Sequence, residues 1–304
     1  MSAPFGKPDA DLAIRSTGDT PFDRLHVLTP YQAEAVELSH EHNLLVIEKS
    51  RRTGITYGFA AGAVQVAGRG SAPQDVFYIA YNLDMTREFI GYCGEFAKAF
   101  NLIAAVSDEY LFDDGSDEGI KAFRIDFPSG KSIVALSSKP RSLRGKQGVV
   151  IIDEAAFHDQ LDELLKAALA LLMWGGRVIV ISTHDGADNP FNELIENIRA
   201  GKRRGHVMRI DIEQALAQGL YKRICLRGGI EWSAERERQW LEDLKASYGD
   251  AADEELYCIP ARGSGTYLAR AAILGVMTTT YRVERFRCPD DFVSWTDARC
   301  ADYV

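Results

Sequence analysis

The sequence predicts an α/β domain, a three-layer sandwich with helices on both faces of a mostly parallel central sheet. Three observations predict it. Short runs that are apolar at every position recur, as at 44–47, 149–152 and 178–181, and strands buried on both faces read this way. Helical patterns with apolar residues three or four apart lie between several of them, the βαβ alternation of a parallel sheet. Two of the runs end in polar or acidic residues, Asp153-Glu154 and Ser182-Thr183-His184, at the strand ends where such sheets bind ligands.

The chain has 304 residues, 46% of them apolar, enough for a proper core. Its net charge of −9 argues against a surface that coats nucleic acid throughout, while allowing a local basic strip. Five cysteines at 93, 225, 258, 288 and 300 form no C-x-x-C pair, and read as reduced thiols without a zinc site. The N-terminus lacks the apolar core of a signal peptide, and no apolar run reaches membrane-spanning length. The expectation is a soluble intracellular protein.

Residues 1–24, rich in Pro, Gly, Asp and Ser, read as a loose arm. Thr29-Pro30-Tyr31-Gln32 opens a helix to about His40, with Thr29 as N-cap, Pro30 in the first turn and Gln32 closing a capping box. Leu44–Ile47 is a buried strand. Lys49-Ser-Arg-Arg-Thr-Gly-Ile-Thr56 follows as a tight basic loop, and a helix begins at about Tyr57. Strand, loop and helix N-terminus make an anion site, because backbone N–H groups and the helix dipole both favour negative charge. The usual phosphate loop reads G-x-x-x-x-G-K-[ST]. Here Lys49 occupies the place of the first glycine and Ile55 that of the lysine. Lys49 is expected to serve instead, since the loop's ends are spatial neighbours, and exchanging the two (Lys49→Gly with Ile55→Lys) is expected to recover part of what losing Lys49 costs. A doubly basic turn can equally be a solvated loop.

Asp75–Tyr81 is a second buried strand, and Asp84–Phe100 a helix. The acid-rich stretch 107–119 is expected to be a solvated turn, and 123–127 with 132–136 a β-hairpin around Pro128-Ser-Gly130. A cationic loop (Lys139, Arg141, Arg144, Lys146) leads into Val149-Val-Ile-Ile-Asp-Glu154. The first acid of such a pair can hold Mg²⁺ and the second can orient or deprotonate water; a strand running into an acidic helix cap is the plainer alternative. A helix over 159–174 precedes the strand Arg177–Ser182. A lone histidine at its end, His184, is more often structural than catalytic and is read as a sensor. A helix over 191–200, the basic turn Lys202-Arg-Arg204, a strand over 206–212 and a solvated charged helix over 235–248 complete the pattern. The Pro/Gly/Ser composition of 257–267 is that of a linker.

Four pieces in order are Tyr31-Gln32, K-S-R-R-T-G-I-T at 49–56, I-I-D-E-A-A-F at 151–157, and S-T-H at 182–184. Together they resemble the ATPase half of a bacteriophage terminase large subunit, most of all the Mu-like group, over about residues 25–270. The resemblance implies a P-loop NTPase fold of the ASCE/RecA-like kind over 25–260, with ATP and Mg²⁺ as cofactors. It implies an adenine-reading role for Gln32. It also implies a nucleotide-binding loop of Lys49, Ser50, Arg51, Arg52, Thr53, Gly54, Ile55 and Thr56, with Lys49 as the phosphate-binding cation. Thr56 and Asp153 would hold the metal, Glu154 would be the catalytic carboxylate, and Arg144 an arginine finger reaching a neighbouring subunit. Ser182, Thr183 and His184 match a motif coupling hydrolysis to DNA movement. The implied partners are double-stranded DNA, the procapsid's portal protein, a small terminase subunit and further copies in a ring, at the portal vertex in the host cytoplasm. Residues 261–304 are expected to be a linker and a segment too short for the nuclease domain of such proteins. Two other readings stay open: a helicase-like remodelling ATPase, and a nucleotide-binding scaffold without catalysis.

Overall fold

The computed structural model describes residues 27–68, 72–100, 105–112, 120–137, 143 and 146–262. The chain divides into two compact units, residues 1–264 and 265–304, and the described residues belong to the first. In chain order its elements are α1 (Pro30–Glu41), β1 (Leu44–Lys49), α2 (Ile55–Gly68), β2 (Val76–Ala80), α3 (Leu83–Ala99), β3 (Ala105–Phe112), β4 (Ile120–Asp126) and β5 (Ser132–Ser137). They continue with β6 (Val149–Asp153), α4 (Leu161–Leu169), β7 (Arg177–Ser182), α5 (Pro190–Arg199), β8 (His206–Ile210), α6 (Ile212–Ala217), α7 (Leu220–Gly228), α8 (Ala234–Tyr248) and α9 (Ala252–Tyr257).

One eight-stranded sheet runs β3-β4-β5-β2-β6-β7-β1-β8. The six strands from β5 to β8 pair in parallel, and β3 and β4 add an antiparallel edge. Side chains alternate along each strand, so β1 feeds two cores. Leu45 and Ile47 pack with Tyr31, Phe59 and Val64 on one face, whereas Leu44 and Val46 pack with Leu164, Phe191 and Ile195 on the other. Placing β7 between β1 and β6 sets the two strands that end in Lys49 and Asp153 one strand apart. Their C-terminal ends therefore open onto a shared crevice.

Three expectations need correction. The acid-rich stretch is not a turn throughout: residues 105–112 form edge strand β3, paired with β4 across a register shift. The long amphipathic pattern after the acid pair is α4 followed by a 3-10 turn over Ala170–Trp174, where Gly175 closes it at φ 76. The start of the linker is held in place. Cys258 is buried, and the Ala261 carbonyl accepts from the Ala187 amide at 2.9 Å. Thr29, Pro30 and Gln32 open α1 as expected, with the Thr29 amide donating to Gln32 Oε1 at 2.8 Å and, among the described residues, the Thr29 hydroxyl left without a partner, and the charged α8 has no fully buried residue.

Among the described residues no helix is long and apolar enough to cross a membrane. Cys93, Cys225 and Cys258 are free and buried. The arm, Lys139, Arg141, Arg144, Cys288 and Cys300 lie outside the described residues.

Candidate active site

The loop between β1 and α2 is braced from both sides. The Ser50 amide donates to the Ile210 carbonyl at 2.8 Å, and the Thr53 hydroxyl donates to the Ser50 carbonyl at 3.1 Å. From α1, the Tyr31 hydroxyl donates to the Thr53 carbonyl at 2.7 Å, and the Gln32 amide nitrogen donates to the Gly54 carbonyl at 2.8 Å. Gly54 has φ +72, and a Cβ there would lie 2.8 Å from that same Gln32 nitrogen. Only glycine combines this turn with so close an approach. Gln32 is buried, with its oxygen accepting from the Thr29 amide at 2.8 Å. Its amide thus holds the helix cap and the loop together.

The loop's side chains separate into distinct roles. Lys49 is buried, and its ammonium lies 2.9 Å from Glu154 Oε1. Arg51 points away, pairing with Glu255 Oε1 at 2.8 Å, while its amide donates to the Glu255 carbonyl at 2.9 Å. Arg52 is exposed and takes φ 60. Ile55 is 1% exposed and belongs to the core beneath α2, so only its backbone faces the loop. The Thr56 hydroxyl donates to Asp153 Oδ2 at 2.6 Å.

The acid pair is built by the end of β6. Gly148, at φ +138, lets the strand start flush against Asp75, whose carbonyl a Cβ would meet at 2.1 Å. Asp153 is fully buried. It accepts from Thr56, from the Tyr78 hydroxyl at 2.8 Å and from the Glu154 amide at 3.0 Å. Burial pushes its carboxyl above the usual range, reinforced by the Glu154 charge and opposed by Lys49 and by the bonds from Thr56 and Tyr78. Burial likewise raises the Tyr78 phenol well above its ordinary value, with the Asp153 charge adding to it. Glu154 leaves the strand in the left-handed region at φ 49, a conformation that costs a non-glycine residue on the order of 1 kcal/mol. That turn carries its carboxylate toward Lys49.

At the end of β7, Ser182 accepts from the Ala156 amide at 3.0 Å and fixes the turn after the acid pair. His184 is 2% exposed, with Nε2 3.0 Å from Glu48 Oε2. Among the described residues, three polar atoms at these strand ends are buried without a hydrogen-bond partner: Ser50 Oγ, Thr183 Oγ1 and His184 Nδ1. Thr56 and Asp153 offer the hard oxygen donors that magnesium takes, leaving its other positions to water and phosphate. They fit that ion. Among the described residues no cluster of three or more His, Cys, Asp or Glu could hold a metal alone.

Comparison with known proteins decides the family. A profile of the family "Terminase large subunit, T4likevirus-type, N-terminal" matches residues 46–274. The chain belongs to the terminase large subunit family. It is 45% identical over 281 residues to the Mu-like prophage FluMu protein gp28 of Haemophilus influenzae, across 91% of this chain and 55% of that protein. It is also 45% identical over 265 residues to the probable terminase large subunit gp28 of Escherichia phage Mu, across 84% of this chain and 48% of that protein. The chain therefore spans about half the length of these relatives. Solved structures agree on the fold. The large terminase of a thermophilic bacteriophage, in complex with ADP, superposes with a TM-score of 0.53 at 13% identity, over 77% of this chain and 54% of that one. The large terminase ATPase domain of Thermus phage P74-26 gives 0.51 at 15% identity, over 79% and 99%.

Of the residues expected at the site, Lys49, Thr56, Asp153 and Glu154 come together in direct contact, and Ser182 and His184 lie on the neighbouring strand end. Arg51 is turned away. Sequence reasoning missed Tyr78 and Glu48, and it quoted Tyr31 beside Gln32 without giving its hydroxyl a role. Tyr78 reads as an ordinary position of a buried strand until the fold aims its hydroxyl at Asp153, and the Tyr31 hydroxyl finds the Thr53 carbonyl only in the fold. Glu48 carried a signal, since an acid interrupts a strand that is otherwise buried throughout.

Proposed function

We propose that this terminase large subunit chain hydrolyses ATP and couples hydrolysis to the movement of double-stranded DNA into a procapsid. The observation that carries this reading is the pair of contacts Lys49–Glu154 and Thr56–Asp153, which draws both ends of the loop onto the acid pair. Lys49 supplies a compact positive charge to the β- and γ-phosphate oxygens. A phosphate oxygen arriving at its ammonium competes with Glu154, and the released carboxylate then orients or deprotonates the attacking water. Thr56 and Asp153 are the residues that would hold Mg²⁺, and the ion would supply charge neutralisation on the phosphates. Ser50 and Thr183, with unpartnered buried hydroxyls, are further donors for the nucleotide. Gln32 keeps the loop closed, and the resemblance assigns it the adenine-reading role. Arg144 is assigned to a neighbouring subunit's site, within a ring on the portal served by a small terminase subunit.

The test is steady-state ATP turnover with and without double-stranded DNA. The reading expects Mg²⁺-dependent turnover that DNA stimulates. Nucleotide binding without turnover would instead make the chain a non-catalytic scaffold, and strand separation a helicase-like remodeller.

A further inference from the structure

The acid before the phosphate loop has no role in the chemistry above, and burial makes its presence costly. Glu48 is 1% exposed near the C-terminal end of β1, and a carboxylate is almost never buried this deeply unless it is paired. Side-chain alternation sends Glu48 to the sheet face opposite Lys49. There Oε2 meets His184 Nε2 at 3.0 Å and Oε1 accepts from the Arg199 guanidinium at the end of α5. The parallel register pairs Glu48 with Ser182, so the acid lies beside the start of the Ser182-Thr183-His184 segment. The His184 ring packs on Phe191 of α5, with centroids 5.6 Å apart.

Chemistry fixes the direction of these bonds. Arg199 is permanently charged and donates to Oε1 of Glu48, and a carboxylate oxygen accepts. The proton between the two therefore sits on Nε2 of His184, and in the neutral ring Nδ1 is then a bare acceptor. That atom is the one buried without a partner. A carboxylate that orients a histidine through one nitrogen sets what the other nitrogen can do.

We propose that Glu48 is a positioning residue: it holds His184 as the Nε2–H tautomer and ties that ring to α5 through Arg199. The proposal rests on the ATPase reading, because the step His184 serves is the one that follows nucleotide binding. Glu48 touches no phosphate, so its loss acts through His184 on turnover and leaves nucleotide affinity in place.

The experiment combines two readouts on the full chain. In ¹⁵N-histidine-labelled protein, with the His184 signal identified by its absence in His184→Gln, the parent is expected to show a protonated Nε2 and a bare Nδ1. Glu48→Gln should change that pattern. In steady-state assays Glu48→Gln should lower kcat by on the order of tenfold or more, with ADP affinity and KM within about twofold of the parent. The double variant Glu48→Gln with His184→Gln should be no slower than His184→Gln alone, since a residue acting only through another adds nothing once that one is gone. Retained ADP affinity shows that the variants are folded. Should Glu48→Gln fail to fold, Arg199→Gln is read instead, with the same ring-nitrogen and kcat expectations. An Nδ1–H tautomer in the parent, an unchanged kcat, or losses that multiply in the double variant would overturn the proposal. Absence of ATP turnover in the parent would sink the ATPase reading instead, while the tautomer assignment would stand or fall on its own signal.

Discussion

Lys49 and Glu154 stand 105 residues apart in the chain and meet at 2.9 Å. One ends the strand before the phosphate loop, and the other takes the first position beyond the acid strand. Their contact turns two isolated sequence features into one site. In the proposed function it would join phosphate binding to the freeing of a carboxylate, and Glu154→Gln tests that link first. The variant should bind nucleotide as the parent does and turn it over at least about a hundredfold more slowly, the scale of a lost general base. Equal turnover would remove Glu154 from the mechanism.

Lys49→Ala should lose roughly 3–5 kcal/mol of transition-state stabilisation, read from kcat/KM, because its charge sits in a water-poor site against the transferring group. Arg52→Ala should cost far less, since Arg52 is exposed. Turnover by Lys49→Ala at the parent rate would show that the relocated lysine is wrong.

The structure revises the loop-swap expectation. Ile55 is 1% exposed in the core beneath α2, so Lys49→Gly with Ile55→Lys buries an ammonium that has no partner there. Such a burial costs several kcal/mol. The double variant should melt well below Lys49→Gly alone and recover no turnover. Recovered ATPase activity at an unchanged Tm would show that the position-55 side chain can reach the loop after all.

Asp153 predicts a pH dependence. Its folded pKa lies above the ordinary carboxylate value, chiefly through burial. The folded state therefore binds more protons than the unfolded chain between the two values, and stability falls as pH rises through that window. Below the ordinary value the effect vanishes, because Asp153 is then protonated in both states. Asp153→Asn should flatten this part of the Tm-against-pH curve and abolish Mg²⁺-dependent turnover. A slope identical in parent and variant would assign it to another group.

Arg144 is expected to act in trans. Mixing Arg144→Ala subunits with Glu154→Gln subunits should restore part of the activity that each lacks alone. If mixtures show only diluted activity, Arg144 serves its own subunit or contacts DNA.

The layered architecture and the main actors of the site could be read from the order of residues. Continuous apolar runs of four residues at 44–47, 149–152 and 178–181, the last two entirely β-branched, have the length and composition of strands buried on both faces, so strand identity was legible without tertiary information. Lys49, Thr56, Asp153 and Glu154 were legible because each stands at the end of such a run or at the start of the following helix. Strand order was settled only in the assembled fold, and with it which strand ends share a crevice. The fold turned Arg51 away to Glu255, sent Ile55 into the core, and aimed the Tyr31 and Tyr78 hydroxyls at the loop and at Asp153. It made β3 from part of an acid-rich stretch, because pairing with β4 overrides a local preference for turns. The reason is common to all of these. A side chain's direction on a strand or loop follows from local geometry, but its partner lies from 22 to 204 residues away and exists only once the sheet has closed.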